Sequence, residues 1–301
     1  MTWRPRICSL LPSATEIVAG LGLADFLVGV SAECDWPPEV RDLPVVTASR
    51  VDTTRLSSLQ IEESVRDALA DGRPLYAIDR DDLEALAPDL ILTQNLCAVC
   101  AVSAESLDGA CATAAEVVAL DAHSLAEIER RIIELAGVLG VPERGGALVA
   151  RMEATIAAVR EQVAGAGRRK VFVAEWVDPP YAAGHWVPEM VAIAGGVDVL
   201  GRPGRPSFAT TWPAVLERNP ELIVAAPCGF DHERAAREGL PRLGRRVVAV
   251  DSNSYFARPG PRIADGIAQL AFLIHPARAS DPKLPCVQLE PGFHQLAATR
   301  T

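Results

Sequence analysis

The sequence predicts an α/β protein of two lobes, each built on a mostly parallel sheet, joined by a single long helix with a ligand cleft between the lobes. Three observations carry this. Short apolar runs alternate with helical patterns over the first 140 residues, and the same alternation restarts after residue 168. Between them lies one long amphipathic stripe, Pro142 to Val163. With 301 residues, 49% of them hydrophobic, each half has enough apolar side chain for its own core.

The first run, Ile7 to Leu11, reads as a short buried strand. Ser13 and Glu16 behind it have capping-box spacing, in which the hydroxyl accepts from a free backbone N–H and the carboxylate reaches back. A helix is therefore expected to start there, its free N–H groups open to a phosphate or carboxylate. Leu27 to Val30, Leu90 to Thr93 and Val117 to Leu120 are the next strands. Leu125, Ile128, Ile132, Leu135 and Leu139 recur at intervals of three and four, one face of a helix that Gly140 and Pro142 end. In the joining helix Leu148, Met152, Ile156, Val159 and Val163 form the stripe, and Gly165-Ala166-Gly167 stops it. Val171 to Ala174, Leu222 to Ala225 and Val247 to Val250 are the strands of the second lobe. The expected division is 1–140, 141–167 for the joining helix, 168–275, and a Pro-rich tail at 276–301 lying on the surface.

A net charge of −10, with no basic run beyond Arg168-Arg169-Lys170, excludes a nucleic-acid backbone binder, which needs clustered cations to displace counterions. No apolar stretch reaches the roughly 18 residues of a membrane span. Arg4 and Arg6 before Ile7 to Leu11 have the outline of a signal peptide, but Pro12, Glu16 and Asp25 interrupt it. The segment reads as mature structure, and the cytoplasm is the expected compartment, with the seven cysteines reduced; a periplasmic or extracytoplasmic setting is the alternative if a signal has been removed.

In parallel α/β sheets ligands bind beyond the carboxyl ends of the strands, so the loops there are the candidate site. They hold Glu33, Cys34, Asp35 and Trp36, then Trp176, His185 and Trp186, and later Tyr255, Phe256 and Arg258. Four of the five tryptophans, Trp36, Trp176, Trp186 and Trp212, fall in or near these loops, where rigid aromatic area suits a flat ligand or else packs the loop onto the sheet. His185, between Gly184 and Trp186, is the candidate axial ligand to a metal carried by the bound molecule; a loop-capping histidine is the alternative. Cys97 and Cys100 form a C-x-x-C after a strand, and with Cys34 and Cys228 they could hold a soft metal or act as redox thiols. Cys8 and Cys111 read as core, and His123, His232, His275 and His294 lack a comparable context.

Taken in order, Gly29-Val30-Ser31 running to Asp35-Trp36-Pro37-Pro38, then Pro88-Asp89-Leu90-Ile91, Pro179-Pro180-Tyr181 with Gly184, and Tyr255-Phe256-Ala257-Arg258 with Pro261-Arg262-Ile263, resemble the class III periplasmic binding proteins of ABC importers. Within that family the resemblance is to the vitamin B12-binding branch, over nearly all of residues 7 to 275. It implies two lobes on a rigid helix with limited hinge motion, and a corrinoid ligand lined by residues matching Glu33 to Trp36, Ser207-Phe208 and Ser254 to Phe256. Haem or a ferric siderophore is the alternative ligand. It also implies docking on a permease through an acid on each lobe. Asp81 matches the first; Pro213 stands at the second, so the permease partner is uncertain from sequence.

No G-x-S-x-G elbow, H-E-x-x-H helix or Walker loop is present, so a hydrolase or nucleotide enzyme is not indicated. Together with the resemblance, which implies a corrinoid ligand, this makes a non-catalytic binder serving transport or salvage the expectation, with a thiol redox or metal protein as the alternative of a different class.

Overall fold

A computed structural model describes residues 4–95, 115–238, 240 and 243–289. The chain divides into two compact units. The first comprises 1–56, 63–122 and 126–150; the second, 57–62, 123–125 and 151–301.

In the first unit the strands are β1 (Ile7–Ser9), β2 (Leu27–Val30), β3 (Thr47–Ser49), β4 (Tyr76–Ile78), β5 (Leu90–Thr93) and β6 (Glu116–Ala119). Four of them form a parallel sheet in the order β2-β1-β5-β6, with β3 and β4 paired antiparallel beside it. β1 and β5 are buried along their whole length, which is why their sequences, apart from the terminal Ser9 and Thr93, are apolar rather than alternating. Cys8, Leu10, Val46, Leu83 and Ile91 pack as one core cluster. The helices are α1 (Pro12–Gly20), α2 (Ser58–Ala70), α3 (Arg80–Ala85), α4 (Leu125–Val138) and α5 (Pro142–Gln162). The division between the units falls inside α2, after Glu62, and inside α5, after Ala150.

The expected capping box is not formed. Pro12 occupies the first turn of α1, where its fixed φ and missing N–H cost nothing, so Leu11 is the N-cap. Ser13 is thereby drawn inside the helix and buried, out of reach of a capping position.

The second unit is built on β7 (Arg169–Val177), β8 (Pro180–Ala182), β9 (Gly196–Asp198), β10 (Phe208–Ala209), β11 (Leu222–Ala225), β12 (Arg246–Val250) and β13 (Cys286–Leu289). β7, β11 and β12 are parallel neighbours, buried through Val171–Ala174, Leu222–Ala225 and Val247–Val250. Along its other edge, β7 pairs with β9 through its first half and antiparallel with β8 through its second. β13 adds antiparallel to β12, so part of the stretch expected as a surface tail is an edge strand of the sheet. Its alternating Cys-Val-Gln-Leu pattern is too short to stand out among prolines. The helices are α6 (Val187–Ile193), α7 (Trp212–Glu217), α8 (His232–Arg237), α9 (Ser252–Tyr255) and α10 (Ile263–Ile274).

Residues 57–62 belong to the second unit through bonds that no local pattern reveals. The Ser58 N–H and hydroxyl both donate to Glu238, at 3.0 and 2.7 Å. The Trp176 indole donates to the Ser58 carbonyl at 3.2 Å, and the Tyr181 hydroxyl to Glu62 at 2.8 Å. Glu238 is 6% exposed and also pairs with Arg234 at 2.8 Å. Removing its charge weakens all three interactions in a buried place. Glu238→Gln is therefore expected to lower stability by about 1–2 kcal/mol, measured as a fall in the urea midpoint of tryptophan fluorescence.

Among the described residues no helix is long and apolar enough to cross a membrane.

Candidate functional site

In the first unit the loop after β2 carries Glu33, Cys34, Asp35 and Trp36. Trp36 is 44% exposed, a large apolar surface left open, and Glu33 and Asp35 are half-buried beside it. Cys34 is different. Its sulfur is buried between the hydroxyls of Thr15 and Ser31, at 3.0 and 3.2 Å, and Thr15 donates on to the Ser9 hydroxyl at 2.8 Å. That polar knot ties the ends of β1 and β2 to α1.

Cys97 and Cys100 lie outside the described residues, and Cys228 is exposed in the loop after β11. Among the described residues no group of three or more His, Cys, Asp or Glu side chains is arranged to hold a metal ion. The expected cysteine metal site thus gains no support.

The second unit gathers most of the predicted residues at the carboxyl ends of β7, β11 and β12. The loops there are knitted together. The Gly184 N–H donates to the Glu175 carboxylate at 2.9 Å, the Cys228 N–H to the Glu175 carbonyl at 3.0 Å, and the Ser252 hydroxyl to the Ala226 carbonyl at 2.8 Å. The Trp186 indole donates to the Phe256 carbonyl at 2.8 Å. Trp186 and Phe256 are 5% and 1% exposed and brace the loops as buried struts. Arg258, 7% exposed and donating to Asn253 at 3.0 Å, belongs with them.

Partly exposed surface is left to Trp176, His185, Phe208 and Tyr255. Trp176 lies against Phe230 with ring centroids 5.2 Å apart. The Arg202 guanidinium sits 3.9 Å over the Phe208 ring and Arg262 5.5 Å from that of Tyr255, each a cation–π pair that leaves positive charge beside an aromatic plane. Burial above all pushes the Tyr255 phenol up, keeping it protonated at neutral pH.

His185 has φ +48°, a left-handed backbone that a non-glycine residue rarely adopts and that costs about 1 kcal/mol or more. It is held there from both sides. Its N–H donates to the Arg205 carbonyl at 2.7 Å, and its carbonyl accepts from the Gly204 N–H at 2.9 Å. Its ring lies 5.7 Å from that of Trp186 and 5.4 Å from that of His123, with the two histidine Nδ1 atoms 3.4 Å apart. Burial first, then the neighbouring His123, push the His185 pKa down, which keeps the imidazole neutral. His123 is the residue that sequence reasoning missed, because 62 positions separate it from its partner.

A cavity of about 450 Å³ lies elsewhere in this unit, at the amino ends of β7 and β11, lined by Arg168, Arg169, Glu221, His275 and Arg278. Its arginines bond the Gly196 carbonyl, Glu221 and the Ala164 carbonyl, which gives them structural employment.

The chain is 25% identical over 287 residues to an uncharacterized ABC transporter substrate-binding lipoprotein, YvrC, of Bacillus subtilis (strain 168), covering 90% of this chain and 80% of that one. It is 24% identical over 267 residues to the vitamin B12-binding protein of Yersinia pestis (strain Pestoides F), covering 88% and 84%. Its fold superposes with a TM-score of 0.64 on the periplasmic heme-binding protein RhuT of Roseiflexus sp. RS-1, at 23% identity over 92% of this chain and 100% of that one. The family model for periplasmic binding proteins matches residues 7–240. With more than three-quarters of its 301 residues inside that match, the chain belongs to the periplasmic binding protein family, as a class III substrate-binding protein of the ABC-importer type.

Proposed function

We propose that this chain is a non-catalytic carrier of a corrinoid of the vitamin B12 type, for transport or salvage, with His185 as axial ligand to the cobalt. The observation that carries the reading is His185 itself: a neutral imidazole, held on a left-handed backbone and partly exposed. Neutral imidazole is the form that ligates a metal, whereas the protonated phenol of Tyr255 is a poor donor. The B12-binding relative supports the corrinoid.

Haem is the second reading, favoured by the fold's likeness to a haem-binding protein and by Arg202 and Arg262, which suit propionate groups. The family name and the lipoprotein relative point to an extracytoplasmic setting and lend the cytoplasmic expectation no support. Docking on a permease follows from the family. Asp81 is exposed in the first turn of α3, but Pro213 at the head of α7 offers no charge, so the second contact is made differently from the resemblance.

Titration with aquocobinamide, whose axial positions exchange, tests the reading by calorimetry and visible absorption. The expected result is saturable one-to-one binding with a shifted cobalt spectrum. His185→Ala is expected to abolish that shift and weaken affinity roughly 10–100-fold. Haemin binding without corrinoid binding would establish the second reading. Binding of neither would sink both and move attention to Cys97 and Cys100.

A further inference from the structure

The first two residues of Arg168-Arg169-Lys170, the longest basic run in a chain of net charge −10, line the cavity of about 450 Å³ at the amino ends of β7 and β11, away from the loops that carry His185. Arg278 and His275, just past α10, form another part of its wall, and Glu221, ahead of β11, is the only carboxylate among the described lining residues. All three guanidiniums are tethered. Arg168 donates to the Gly196 carbonyl at 3.3 Å, Arg278 to the Ala164 carbonyl at 3.1 Å and Arg169 to Glu221 at 2.7 Å. Each of these bonds uses one N–H of the five that a guanidinium carries. Arg169 alone meets an opposite charge; among the described residues neither Arg168 nor Arg278 is paired with a carboxylate. The Arg169 hydrogen bond above all draws the Glu221 carboxyl below its ordinary range, so it is ionised at neutral pH and committed to that pair. The His275 Nε2–H is spent on the Gly195 carbonyl at 3.1 Å. With His275 neutral, three guanidinium cations against one carboxylate leave two positive charges in one cavity.

We propose that this cavity is a second ligand site, taking a small molecule that carries two or more oxyanion groups, phosphate or carboxylate. Guanidinium forks match either group with parallel N–H bonds, and the tethers hold two of them ready without neutralising them. The excess of two positive charges calls for a ligand with at least two negative ones. A single phosphate has the bulk of only a few water molecules of about 30 Å³ each, so a cavity of this size suits a larger body. An occupant bonds the head of β7 to the turn after α10, and so stabilises the second unit. The site is distinct from the one proposed for a corrinoid or haem and stands whatever that site binds.

Calorimetric titration of the protein with pyrophosphate and with citrate, at fixed ionic strength in chloride, tests the proposal. Saturable one-to-one binding of at least one of them is expected; preference for pyrophosphate identifies a phosphate ligand, and preference for citrate a carboxylate ligand. Arg168→Ala and Arg278→Ala are each expected to weaken binding roughly 10-fold, the loss of one charge-assisted hydrogen bond. Gly167 supplies a variant with little cost to the fold. It lines the cavity outside the left-handed region, and a Cβ there would meet nothing within 4 Å. Gly167→Glu, which sets a second carboxylate in the wall, is expected to abolish binding with circular dichroism unchanged. Arg202→Ala, at the other site, is expected to leave pyrophosphate and citrate binding as it was. Binding of neither compound, binding that survives Gly167→Glu, or binding that Arg202→Ala removes would overturn the proposal.

Discussion

Replacing Gly184 by alanine is expected to lower the stability of the second unit by about 3 kcal/mol and to disable the candidate site at the same time. A Cβ at this position would come within 2.6 Å of the Pro206 carbonyl carbon, and closer still to the Arg205 carbonyl oxygen and the Ser207 nitrogen. All three are backbone atoms, so no rotamer change can relieve the overlap and the 205–207 segment must move. That segment accepts the His185 N–H through Arg205 and leads directly into Phe208. A shift there releases His185 from its left-handed backbone and displaces the aromatic ring beside Arg202. Urea unfolding followed by the fluorescence of Trp176, Trp186 and Trp212 reads the first effect, and aquocobinamide titration in the absence of urea reads the second. An unchanged midpoint in Gly184→Ala would show that the segment yields cheaply and that this close approach is not what fixes His185.

The central strands were legible because buried strands are mostly apolar, with a hydrogen-bonded polar residue tolerated at an end, as at Ser9 and Thr93. Leu27–Val30, Leu90–Thr93 and Leu222–Ala225 coincide with their apolar runs, and the stripes of α4 and α5 likewise follow from helical periodicity. The start of α1 was read one step wrongly because Ser13 and Glu16 have capping spacing, yet a proline ahead of them takes the first turn and moves the cap to Leu11. The site loops were legible as places, since chemistry collects at strand ends in such sheets. Which of their side chains are struts was not. Trp186 and Phe256 look like ligand contacts in sequence because aromatic residues serve both purposes, and only the indole bond to the Phe256 carbonyl and their burial separate the roles. His123 and the Ser58–Glu238 anchor were invisible for a different reason. Each depends on a pairing across 62 or 180 residues, and a polar side chain in a loop carries no periodic signal of its partner.

Asp198→Asn is expected to make the protein more stable above pH 6.5 and to flatten its stability between pH 4 and 6. Asp198 ends β9, and its Oδ1 accepts from the N–H groups of Leu200 and Gly201 at 3.1 and 2.7 Å, clasping a tight turn. Although the residue as a whole is only half-buried, its Oδ2 is shut off from solvent and has no hydrogen-bond partner among the described residues. Burial pushes the carboxyl up from 3.8 to about 6, against the pull of the surrounding backbone N–H groups. The folded state therefore holds this proton more tightly than the unfolded chain does. Below about pH 4 both states are protonated and the group costs nothing; as pH rises from 4 to 6 the unfolded chain ionises first and stability falls. At roughly 1.4 kcal/mol per pH unit the loss reaches about 3 kcal/mol and persists at higher pH. Asparagine keeps the Oδ1 acceptor without the charge, and after the cost of an unpaired amide the expected gain at pH 8 is about 1–2 kcal/mol. The turn explains why an unfavourable carboxylate belongs here. It sends the chain into Arg202, whose N–H bonds the Ala183 carbonyl, and Gly204, whose N–H bonds the His185 carbonyl, so its strength is spent on bracing the histidine. A difference in stability between Asp198→Asn and the unsubstituted protein that stays constant from pH 4 to 8 would show that this carboxyl does not titrate above the ordinary range.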